Sequence, residues 1–169
     1  MNRFILPVIT ASALIFGFIL PSEEAAAQTT AKDLTGTWTL VSITLEQDGK
    51  KTDFYGPNPK GQRAYDPSGR FSEVITRADL PKFASNNRQT GTPEENKAVV
   101  QGSLAFFGTY SVNETDKTYT QHIESCTFPN CNGTERKYSF DISGDELSTV
   151  LSATSIGKGT AYAVWKRAK

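Results

Sequence analysis

From Gly36 onward the chain alternates apolar and polar residues in short runs, and Gly, Pro, Asn and Asp punctuate them at regular intervals. Alternation with a period of two, bounded by turn residues, is the pattern of half-buried strands. It predicts strands over Gly36–Glu46, Thr52–Tyr55, Gln62–Tyr65, Arg70–Arg77, Phe106–Val112, Thr118–Cys126, Glu135–Ile142, Glu146–Leu151 and Thr160–Lys166. Asp48-Gly49 suits a tight hairpin turn, and Asp66-Pro67-Ser68-Gly69 places Pro at the second position of a β-turn. One segment breaks the pattern. Thr92-Pro93-Glu94-Glu95 carries an N-cap, a Pro at the first helical position and a capping-box Glu, so a helix is expected over Thr92–Leu104, with Ala98, Val99 and Gly102 toward a partner surface. About eight strands joined by consecutive hairpins favour an all-β, up-and-down antiparallel barrel, because closure removes exposed edges. A sandwich is the alternative.

The first residues read differently. A short positive start at Met1–Arg3, an apolar run over Phe4–Leu20, a breaker at Pro21 and small residues at Ala25–Ala27 form the three-part pattern of a secretory signal peptide. The expected organisation is therefore a signal peptide over residues 1–27, a flexible N-terminus over 28–33, and a barrel domain over 34–169. An uncleaved anchor helix is the other reading of the leader. Cleavage would give a periplasmic or secreted protein whose mature form has no membrane span.

Composition narrows the function. The net charge is zero, so no basic excess exists to hold a phosphate backbone, and nucleic-acid binding is not expected. Export would put the only two cysteines, Cys126 and Cys131, in an oxidising space, where a disulfide is the default. Zinc is the alternative for two thiols so spaced, but His122 is the only histidine, and no metal or cofactor is expected. No nucleophile elbow occurs. Gly157-Lys158-Gly159-Thr160 lacks the upstream glycine of a phosphate-binding loop and precedes a strand.

Several motifs in order carry a resemblance. Gly36-Thr37-Trp38 opens the first strand, and Tyr55-Gly56-Pro57-Asn58-Pro59, Tyr65-Asp66-Pro67-Ser68-Gly69, Phe83-Ala84-Ser85, Gly91-Thr92-Pro93-Glu94-Glu95, Phe107-Gly108-Thr109-Tyr110, Phe128-Pro129-Asn130 and Gly133-Thr134-Glu135 follow. Together they resemble the lipocalin-like domain family over Leu34–Arg167. The resemblance implies a barrel open at one end, with a cavity for a small, mostly apolar molecule. Members often carry two adjacent histidines on the sixth strand. Here Gln121 stands before His122.

Strand parity sorts the candidate site residues, since alternate side chains face opposite sides. It turns Phe106, Gly108, Tyr110 and Val112 inward, with Tyr138, Phe140 and Ile142, while Trp38 is expected low in the core. If Phe71 and Ile75 face in, so do Glu73 and Arg77, and buried charges need partners. Parity leaves His122 and Glu124 open. The expected ligand-binding groups are Tyr65, Arg77, Tyr110, His122 and Glu124, around a small apolar or amphipathic molecule. Two other readings remain beside binding. One is a cofactor-free isomerase or cyclase with an acid–base pair such as His122 with Glu124 or Tyr110; the other is a structural envelope protein with a filled barrel.

Overall fold

The structure is a computed structural model that describes residues 30–169; the expected signal peptide lies outside them. A helical turn, α1 (Ala31–Leu34), precedes β1 (Gly36–Gln47), β2 (Lys50–Asp53), β3 (Lys60–Tyr65) and β4 (Arg70–Thr76). Helix α2 (Pro93–Gly102) follows, then β5 (Ser103–Asn113), β6 (Thr118–Cys126), β7 (Glu135–Ser143), β8 (Glu146–Thr154) and β9 (Gly157–Arg167). Every neighbouring pair is antiparallel, and β1 also pairs with β9, from Trp38 opposite Arg167 to Glu46 opposite Thr160. That pairing closes the barrel. Strands β2 and β3 take successive stretches of one β1 edge, Thr44–Gln47 and Gly36–Thr39, so they share one stave and the barrel has eight.

Most predicted strands match to within a few residues. The helix is shorter than expected. Ser103 and Leu104 pair with Thr76 and Ile75, so the ladder to β4 claims them and α2 stops at Gly102. Its start follows the capping signal, with Glu95 N–H donating to Thr92 Oγ1 at 3.2 Å and Thr92 N–H to the Glu95 carboxylate at 2.8 Å. Ala98 and Val99 are half-buried and Gly102 is buried, as the helix pattern implies.

The lower end of the barrel is sealed. Helix α1 begins after its N-cap Thr30, whose N–H donates to the Asp33 carboxylate at 2.8 Å. Trp38 Nε1 donates to the Leu34 carbonyl at 2.8 Å, and the Arg167 guanidinium covers the Trp38 ring at 4.1 Å while donating to the carbonyls of Thr35 and Asp33. Trp38, Leu147 and Trp165 are fully buried above this plug. The opposite end is open. There the β1–β2 turn, the Phe54–Pro59 loop, α2, the β6–β7 loop and the β8–β9 turn meet.

Candidate functional site

Alternation within β3 turns Arg63 and Tyr65 inward, and in β4 it turns Phe71, Glu73 and Ile75 inward. The hairpin register then sets Arg63 directly opposite Glu73. Arg63 Nε donates to Glu73 Oε2 at 2.6 Å, and its Nη1 donates to the Tyr119 hydroxyl at 2.7 Å. The Trp165 ring lies 4.2 Å from the guanidinium carbon. Burial alone would lower the Arg63 pKa, but the Glu73 charge together with Tyr119, Tyr65 and Tyr138 outweighs it and holds the guanidinium well above its usual value. A charged pair therefore crosses the middle of an apolar barrel. Around it, Tyr119 stacks on Tyr138 at 4.8 Å, and Gln121 Nε2 donates to the Tyr65 hydroxyl at 3.1 Å.

Of this polar belt, Arg63, Glu73 and Tyr138 line an inner cavity of about 40 Å³. The space suits a group the size of a few waters or one small head group. Apolar walls rise from Ile43, Ile75, Leu104, Leu151, Ala161 and Ala163, and Arg63, Glu73, Tyr55, Arg136, Tyr138 and Thr149 supply polar atoms. Above it lies a wider chamber of about 330 Å³ under α2, walled by Val99, Val100, Phe128 and Ile156. Phe54, Tyr55, Leu104 and Ser155 line both, so the two chambers meet at the open end. Burial pushes the Tyr55 hydroxyl up to about 12, with the Glu73 charge adding to the rise. Burial raises Tyr65, Tyr119 and Tyr138 in the same direction. These phenols remain neutral donors across the physiological range.

The residues singled out from the sequence fall in four places. Tyr65 is buried and Tyr110 half-buried toward the sealed end, their rings 4.8 Å apart, and the Tyr110 hydroxyl donates to the Asp66 carbonyl at 3.0 Å. His122 stands on the outer face with Nδ1 2.9 Å from the Glu135 carboxylate. Glu124 is also outside, held by both Nη atoms of Arg70 at 2.9 Å. Arg77 lies beyond the end of β4, where alternation no longer governs it, and forks onto Asp79 at 2.9 Å. Tyr65 and Tyr110 are thus brought together, and none of the five lines either chamber. The inward face of β6 carries Tyr119, Gln121 and Ile123 instead.

Sequence reasoning passed over Arg63 and Arg136. Both were within its reach, because Arg63 is two residues from Tyr65 and Arg136 two residues from the inward Tyr138. Cys126 and Cys131 are bonded, with Cα atoms 6.0 Å apart, and the loop between them presents Phe128 to the outer chamber. Among the described residues no cluster of three or more His, Cys, Asp or Glu could hold a metal, and no helix is long and apolar enough to cross a membrane.

The family model described as a lipocalin-like domain matches residues 35–168. No curated protein matches. Among solved structures, a biogenic amine-binding protein aligns with 14% identity over 83% of this chain and 67% of its own, at a TM-score of 0.46. The amine-binding protein of Rhodnius prolixus in its tryptamine complex gives 14% identity, the same two coverages and a TM-score of 0.43. The fatty acid transporter REP1-NXSQ gives 12% identity over 82% of this chain and 98% of its own, at 0.40.

Proposed function

Because the chain belongs to the lipocalin-like domain family, we propose that it is an exported binding protein that holds one small, mostly apolar molecule at the open end of its barrel. The stepped pocket carries this reading. Its outer chamber has the size and the apolar walls of a small-molecule site, and its inner chamber ends on a few convergent polar groups. Small barrels of eight strands have room for a single such ligand. The Cys126–Cys131 bond supports an oxidising compartment, in keeping with the leader read at residues 1–27.

The experiment is saturation with a neutral fluorescent probe, N-phenyl-1-naphthylamine, against the intact protein and Leu104→Trp. Leu104 sits where the chambers meet, so an indole there obstructs the pocket. One saturable site is expected, weakened tenfold or more in a variant whose melting temperature shows it folded. Non-saturable binding, or equal affinity in the folded variant, rejects the reading. N-terminal sequencing of the protein from its host tests export, with a start near Gln28 expected.

A second reading, a cofactor-free isomerase, has one observation in its favour: the Glu73 carboxylate lines the inner chamber. Against it, Arg63 already donates to that carboxylate, and the neighbouring phenols bind their protons too tightly to shuttle them near neutral pH.

A further inference from the structure

We propose that the bound molecule carries a single negative charge at its inward end, a carboxylate, and that Arg136 is the residue that selects it. The inference rests on the binding reading above and adds the chemistry of the head group.

The inner wall holds three charged groups: two guanidiniums, Arg63 and Arg136, and one carboxylate, Glu73. Arg63 and Glu73 neutralise each other. Arg136 is left over. It shares the inward face of β7 with Tyr138 and Phe140, and its guanidinium lies over the Phe106 ring at 4.7 Å. The acid next to it in the chain, Glu135, points outward and is engaged by His122. Among the described residues no carboxylate forms an ion pair with Arg136.

A half-buried guanidinium without a counter-ion raises the affinity of its cavity for an anion, because water screens it poorly there. The planar fork of arginine matches a carboxylate with two parallel bonds. The hydroxyls of Tyr55 and Tyr138 line the same cavity and add donors. The inner chamber of about 40 Å³ admits a group no larger than a small head. The apolar remainder then lies outward among Val99, Val100, Phe128 and Ile156. An amine head would meet two cations against one anion that is already paired, so the electrostatics oppose it.

The test compares three ten-carbon probes, decanoate, decanol and decylamine, as competitors of N-phenyl-1-naphthylamine on the intact protein, Arg136→Met and Arg136→Lys. On the intact protein decanoate is expected to bind at least tenfold more tightly than decanol, with decylamine weakest. Arg136→Met should lose the advantage of decanoate over decanol, and Arg136→Lys should restore part of it. A melting curve confirms that each variant folds. Equal affinity for decanoate and decanol overturns the proposal while leaving the pocket intact. Preference for decylamine overturns it as well, and makes Glu73 the head-group partner. An undiminished advantage in folded Arg136→Met removes Arg136 from the role. If none of the three displaces the probe, this proposal falls, while saturable N-phenyl-1-naphthylamine binding that Leu104→Trp weakens still upholds the pocket reading.

Discussion

Arg63 and Glu73 stand directly opposite each other on β3 and β4, joined at 2.6 Å, with side chains only 2% and 3% exposed. Two charges at the centre of a barrel are costly to dehydrate and survive through mutual attraction and added hydrogen bonds. Removing one partner leaves the other stranded. Glu73→Gln should therefore lower the unfolding free energy by about 3–5 kcal/mol. The double change Arg63→Met with Glu73→Leu should cost less than either single change. Urea unfolding of Glu73→Gln, of Arg63→Met and Glu73→Leu singly and of their double checks this, and additive losses would contradict the coupling.

The buried phenols make stability fall in alkali. Tyr55 titrates at about 12 in the folded protein because burial disfavours the phenolate, and near 10 when unfolded. Below pH 10 both states keep the proton and the stabilisation is complete. As pH rises from 10 through 12 the unfolded chain sheds the proton first, and stability drains by about 2–3 kcal/mol from this residue alone. Tyr65, Tyr119 and Tyr138 are shifted in the same direction and add to the loss. Tyrosinate absorbance should show these phenols ionising together with unfolding. Tyr55→Phe should make the decline between pH 10 and 12 shallower.

Gly108 is a matter of space. It faces a bulge where Phe107 pairs with Ser125 and Gly108 with Ile123, and an added Cβ would sit 1.9 Å from the His122 carbonyl oxygen. Backbone cannot yield as a flexible side chain does. Gly108→Ala should destabilise by about 3 kcal/mol or more, the upper end for overpacking. Thermal unfolding measures it. A melting point within a degree of the parent would show that β5 and β6 can shift register.

The Cys126–Cys131 bond closes a short loop, so its removal should cost about 2 kcal/mol of chain entropy in the unfolded state. The double Cys→Ser variant should fold with a lower melting point. Because Phe128 lies between the cysteines and walls the outer chamber, N-phenyl-1-naphthylamine should also bind it several-fold more weakly. Mass measurement before and after reduction of the parent should differ by two hydrogens.

The strands were legible because one face of each is buried, which imprints a period of two that turns interrupt. Parity also turned Glu73, Tyr110, Tyr138 and Phe140 inward, and the structure agrees. It failed at Arg77, where the strand had ended, and was silent on His122, because Tyr119, Gln121 and Ile123 are hardly more apolar as a set than Thr118, Thr120 and His122. The helix end was misjudged for a related reason. Nothing local stops α2 at Gly102 except the ladder that Ser103 and Leu104 join.

Local sequence thus determined the strands, the turns, the start of the helix and the pairing of the only two cysteines, since each depends on neighbours a few residues away. Tertiary structure alone decided the site. Arg63, Tyr119 and Trp165 meet because a closed barrel points three distant strands at one axis, and no local spacing encodes that meeting. It also decided which charges are paired. Glu124 and Glu135 are turned outward onto Arg70 and His122, Glu73 inward onto Arg63, and Arg136 is left facing the cavity without a carboxylate among the described residues. The physical reason is reach. An ion pair forms only across a few ångströms, and the barrel register sets which side chains come that close.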